Sequence, residues 1–153
     1  MHAAEIMPSV RSALELDERR AALVAMERLR DLDATVVRDL RRDVFGDGTV
    51  SQDEADVLFD LERAARPRCP EWGEFFVETI VDFLLWQQRP SGVLNEAQAE
   101  WLIAQTDRTA TLTAFAVLVA VLEEAHRTPG WYAAAVCGRA AKGWPGMEKA
   151  RAA

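Results

Sequence analysis

A displacement of forty-four residues lays one part of this chain on another. "LDATVVRDL" (32–40) falls on "FVETIVDFL" (76–84), so that Leu32, Val36, Val37 and Leu40 meet Phe76, Ile80, Val81 and Leu84. Further on, "GTVSQDEADVLF" (48–59) falls on "GVLNEAQAEWLI" (92–103), pairing Gly48 with Gly92, Ser51 with Asn95, Glu54 with Gln98 and Leu58 with Leu102. The apolar positions recur at helical spacing, and no stretch sustains the two-residue alternation of a half-buried strand. Each unit therefore reads as a helix, a glycine turn and a capped helix. Two such units at a fixed shift predict a duplicated helical hairpin. The fold class that follows is all-α, a compact bundle of six or seven helices.

The rest of the chain extends this plan. Helices are expected over 9–30, 33–45 (with Asp33 as its cap), 52–65, 72–88, 96–106, 109–126 and 131–142, and "RPRCPEWG" (66–73) is a proline-marked loop. The repeat units span about 32–65 and 76–107, residues 1–142 form one domain, and 143–153 reads as a mobile tail. The helix 72–88 is apolar around most of its circumference, and with 109–126 it is expected at the bundle centre. Its one polar stripe carries Glu74, Glu78 and Asp82, and Arg38, Arg41 and Arg42 offer a matching basic stripe one unit earlier.

Charge narrows the functions. A net charge of −7 and a pI near 4.9 argue against general affinity for nucleic acid or an anionic membrane, both of which need a basic face. The longest apolar run, "AFAVLVAVL" (114–122), falls short of the roughly 20 residues a membrane span requires. The N-terminus lacks the pattern of a signal peptide, and Cys69 and Cys137 stand apart in no metal-like spacing. Arginine outnumbers lysine sixteen to two, the mark of a GC-rich genome. A bacterial, cytoplasmic protein is expected.

One stretch comes near to a metal site. "DVFGDGTVSQDE" (43–54) has nearly the spacing of a calcium loop, in which oxygen ligands occupy positions one, three, five, seven, nine and twelve around a glycine at six. Asp43, Asp47, Gly48, Ser51 and Glu54 fit places one, five, six, nine and twelve, and Thr49 would offer its carbonyl at seven. Phe45 removes the third ligand, so any Ca2+ or Mg2+ would be held weakly. The competing reading is a capping box, with the Ser51 hydroxyl and the Glu54 carboxylate each taking a free amide at the helix start. The second unit keeps that device in Asn95 and Gln98, while Gln87, Arg89 and Ser91 replace Asp43, Phe45 and Asp47.

"GDGTVSQDEADVLFDL" resembles the D-G-x-V-x-x-x-E turn of the tellurite-resistance TerB family of small all-helical bacterial domains. The matching positions are Asp47, Gly48, Val50 and Glu54, within a resemblance covering roughly residues 32 to 107; the second unit keeps Gly92 and the cap. The resemblance implies a compact, metal-associated helical domain acting through protein contacts. It names no reaction.

Signals for catalysis are sparse. Glu123 and His126 have the E-x-x-H spacing of di-iron bundles, but such a centre needs two of these motifs and the only other histidine is His2. There is no phosphate loop, nucleophile elbow or zinc motif. The expected role is therefore non-catalytic: an accessory or adaptor protein that binds another protein through an apolar helical surface rimmed by acids, with no cofactor. A second copy of the chain is one candidate partner. Phe59, Trp86, Trp131 and Trp144 are the candidate contact residues, Phe59 because its wheel position between Glu62 and Arg63 leaves it either covered by another helix or awaiting a partner. The alternatives are a divalent-cation domain using loop 43–54, and an enzyme with a polar site that the sequence does not advertise.

Overall fold

The computed structural model describes residues 33–46, 48–64 and 69–143. The expected helix 9–30 and the tail from Trp144 lie outside the described residues. Among the described residues six α-helices, α1 (Ala34–Asp39), α2 (Gln52–Ala64), α3 (Pro70–Val81), α4 (Glu96–Thr109), α5 (Leu112–Glu124) and α6 (Tyr132–Lys142), make an all-α bundle. Among the described residues none is long and apolar enough to cross a membrane.

Local chemistry sets the helix ends. Asp33 caps α1, its carboxylate accepting from the Val36 amide at 2.9 Å. α1 and α3 each run on into a π-helical turn, Leu40–Val44 and Asp82–Trp86, closed by the Phe45 amide on the Leu40 carbonyl (3.0 Å) and the Gln87 amide on that of Asp82 (2.9 Å). α4 continues three residues past the expected Thr106. The Thr106 and Thr109 hydroxyls bond back to the carbonyls of Leu102 and Gln105, and the helix stops at Ala110, which takes the left-handed conformation (φ 52°). Thr111 then caps α5.

The centre is the one expected. Trp72, Phe76 and Ile80 of α3 and Val117, Leu118 and Val121 of α5 are fully buried, and the two helices pack closely against each other. They run parallel, because Gly73 faces Thr113 at their starts and Trp86 meets His126 at their ends. α6 is fixed by the buried Tyr132 hydroxyl, which donates to the Leu118 carbonyl (2.9 Å), and by the two-pronged bond from Arg139 to Asp107.

Phe59 corrects the sequence reading. It has no exposed surface; its ring sits edge-on to Phe76 (4.9 Å between centroids) and Trp101 (5.6 Å), so another helix covers it and it is no docking residue. The wheel misled because its polar flank is itself partly or fully covered by neighbouring helices. Glu62 is buried and accepts from the Trp72 indole (2.9 Å), and Asp56 accepts from Trp101 (2.8 Å) and Gln105 (2.9 Å). Arg63 spans from Asp60 to Thr109. Glu62 is thus accommodated inside by its partner, while Asp56, Asp60 and Arg63 are half-buried between α2 and α4.

Candidate docking groove and the acidic glycine turn

Positions 73, 77 and 81 of α3 fall four apart and make a stripe of Gly73, Val77 and Val81. Glu74, Glu78 and Asp82 make the stripe beside it. α5 supplies a facing wall of Leu112, Thr113 and Ala116, with Leu112 41% exposed. Between this wall and Gly73 and Val77 lies a mainly apolar hollow of about 630 Å³. A second hollow of about 380 Å³ continues it past Val81 to Phe45, Val50, Phe75 and Trp86. Val77, Glu78 and Glu124 border both, so the two form one groove.

Among the described residues four carboxylates line the groove (Glu74, Glu78, Asp82 and Glu124) against one cation, Arg41. The Arg41 guanidinium lies over the Phe75 ring, 5.0 Å from its centroid, and pairs with Glu78 at 3.1 Å. Of the basic stripe read in the sequence, Arg41 meets the acidic stripe; Arg42 turns back to Asp39 of its own helix. Burial, with the Glu78 charge beside it, holds the Asp82 carboxyl above its ordinary pKa range.

The glycine turn that begins at Phe45 forms one end of this groove. Phe45, at the third place of the calcium-like spacing, is turned into the core, its ring 5.8 Å from Phe75. Gly46 has no room for a side chain: a β-carbon there would stand 2.6 Å from the Arg42 carbonyl oxygen. Gly48 takes φ 74°, and the Val50 amide donates to the Gln87 side chain at 2.7 Å. The capping box is formed: the Glu54 amide donates to the Ser51 hydroxyl (3.1 Å), and Glu54 Oε1 accepts from the Ser51 amide (2.9 Å). Glu54 is buried, and its Oε2 has no hydrogen-bond partner among the described residues. Thr49 is exposed, while Asp47 and the Asp43 side chain lie outside the described residues. Among the described residues no three histidine, cysteine or carboxylate groups come together as metal ligands.

The remaining sequence candidates separate. Trp86 is 42% exposed, lines the groove and holds the His126 ring edge-on at 6.0 Å. Trp131 is exposed and lines neither hollow, its indole donating to Glu96 at 2.8 Å. Trp144 lies outside the described residues. What the sequence reading missed was Phe75 and Phe45 as groove floor beneath Arg41; the signal for it was the arginine at 41 opposite the stripe of Glu74, Glu78 and Asp82. No protein-family model, curated protein or solved structure matches the chain.

Proposed function

We propose that this chain is a non-catalytic accessory or adaptor protein of a bacterial cytoplasm, binding a helical segment of another protein in the groove that runs along α3. The observation that carries the reading is that groove: two adjoining hollows along α3, one walled by apolar residues of α5 and the other by the first glycine turn, both bordered by carboxylates. Apolar walls supply affinity when desolvated, and a charged rim selects the partner and speeds the encounter. Selecting displayed helical peptides of unbiased charge against the whole protein tests it, with a counter-screen on the Leu112→Ser, Ala116→Gln variant. Both residues are exposed, so folding should be unaffected. Binders that lose at least tenfold on the variant support the groove. Binders indifferent to both changes, or no binders, reject it.

Glu54 favours a second reading, a weak divalent-cation site in the turn, because a buried carboxylate oxygen without a partner is costly unless something neutralises it. Calcium titration by calorimetry decides this, with Glu54→Gln as control. Heat and a raised melting temperature that the variant loses would establish the site. Their absence at millimolar calcium leaves a capped turn.

A further inference from the structure

The groove is acidic along its length, and the molecule already shows what satisfies it. Arg41 reaches from the first π turn to lie on Phe75 beside Glu78, a cation held by an aromatic face and a carboxylate together. A guanidinium suits this place better than an ammonium, since it is flat, stacks on rings and forks towards carboxylates. Yet the Arg41–Glu78 pair is open to water, with side chains 45% and 66% exposed, and an exposed pair contributes little and is readily exchanged. Among the described residues, one guanidinium also leaves Glu74, Asp82 and Glu124 of the lining in excess.

Resting on the adaptor reading, we propose that the groove takes an amphipathic helix carrying arginines along one flank, from a partner protein, and that Arg41 holds the place one of those arginines occupies. From Gly73 to Trp86 the groove follows fourteen residues of helix, on the order of 20 Å, which seats about four turns of a partner helix. Acidic residues at every fourth position of α3 would meet arginines at the same interval on that helix. A second copy of this chain fits poorly, because a two-fold contact would set the acidic stripe against itself.

The test uses the full chain and three synthetic fourteen-residue helical peptides with the same leucine face. Their flanking positions carry arginine, glutamine or glutamate, and binding is read by fluorescence anisotropy at two salt concentrations. The arginine peptide is expected to bind at least tenfold tighter than the glutamine peptide and to weaken with salt. Arg41→Ala should tighten it several-fold, and Glu78→Gln with Asp82→Asn should loosen it at least tenfold. Thermal melting checks that each variant is folded. Equal binding of the arginine and glutamine peptides, or no gain in Arg41→Ala, overturns the inference and leaves the groove reading standing. If none of the three binds and the peptide selection also fails, the groove reading falls with it. A dimer in sedimentation that Ala116→Gln dissociates and the arginine peptide does not compete would make a second copy the occupant, and would overturn the inference.

Discussion

The two glycine turns share a design and differ in what holds them. Each leaves a π turn, passes through a glycine with positive φ (74° at Gly48, 76° at Gly92), and enters a helix through a capping box. The second is a joint of the fold. Gly92 is buried; its amide donates to the Leu85 carbonyl (2.6 Å) and its carbonyl accepts from the His126 amide (2.7 Å). Its box residue Gln98 also uses its amide nitrogen, donating to the Leu84 carbonyl (3.2 Å) and the Gln88 side chain (2.8 Å). At the first turn Gly48 is exposed, and Glu54 sets an unpartnered oxygen where Gln98 sets a satisfied donor. The same local device thus serves once as an internal clamp and once as the lip of a groove, where Phe45, Gly48 and Val50 are lining residues.

The largest effect expected from this contrast is at the two glycines. An alanine at 92 would put its β-carbon into the His126 imidazole, and at φ 76° it is strained as well; about 2–4 kcal/mol of stability should be lost. At 48 the conformational strain is the same, but no atom lies within 4 Å of the added carbon. Gly48→Ala should cost only about 1 kcal/mol. Urea unfolding of both variants, repeated in a His126→Ala background, tests the cause. Removing the ring should bring Gly92→Ala down to the level of Gly48→Ala. Equal costs in the original background would erase the distinction between clamp and lip.

Exchanging the box residues comes next. Gln98→Glu deletes two donated bonds and turns a carboxylate oxygen towards two oxygens that were acceptors, for a loss of about 1–3 kcal/mol. The reverse change, Glu54→Gln, replaces the unpartnered acceptor with a donor. A gain of roughly 0.5–1.5 kcal/mol is expected if the new amide finds a carbonyl of the first π turn, as Gln98 does in the second. Thermal melts without added metal read both. A destabilised Glu54→Gln would mean that the charge at this position has a partner beyond the capping bond.

The turns also show what was legible in the chain. Caps are short-range devices, so Asp33, the Ser51–Glu54 pair and the Asn95–Gln98 pair could be read from spacing alone, and so could the apolar faces of α3 and α5. The two π turns were not legible, since one extra residue in a helical turn leaves no mark on composition. They begin forty-two residues apart, at Leu40 and Asp82, whereas the glycines stand forty-four apart; the second connection is therefore two residues longer than a uniform shift implies. The groove was half legible. Glu74, Glu78 and Asp82 announced an acidic stripe, but nothing local said that Val77 beside it would share a hollow with Leu112 and Ala116, or that Arg41 would lie on Phe75. Those are long-range contacts. The same blindness left Phe59 open between a covered and a docking residue, because a helical wheel cannot tell a solvated polar flank from one whose acids meet Trp72 and Trp101.

The smallest expected effect concerns the first residue of each π turn. The first opens on Leu40, fully buried, and the second on Asp82, partly buried beside Glu78. Burial and the Glu78 charge raise the Asp82 pKa, so the folded chain binds that proton more tightly than the unfolded chain. Stability from this group is complete below the ordinary aspartate value, about 3.9, and is lost as pH rises through the higher folded value. Asparagine does not titrate. Asp82→Asn should therefore match the wild type's melting behaviour at the acid end and draw ahead of it as pH rises, levelling once Asp82 is ionised in both states. Parallel melting curves from pH 3 to 7, ending without that divergence, would mean that Asp82 is not strained by its surroundings. A divergence that vanishes when the arginine peptide is bound would show the partner's cation relieving the same crowding of charge, and would tie the acid that distinguishes the second π turn from the first to the groove it lines.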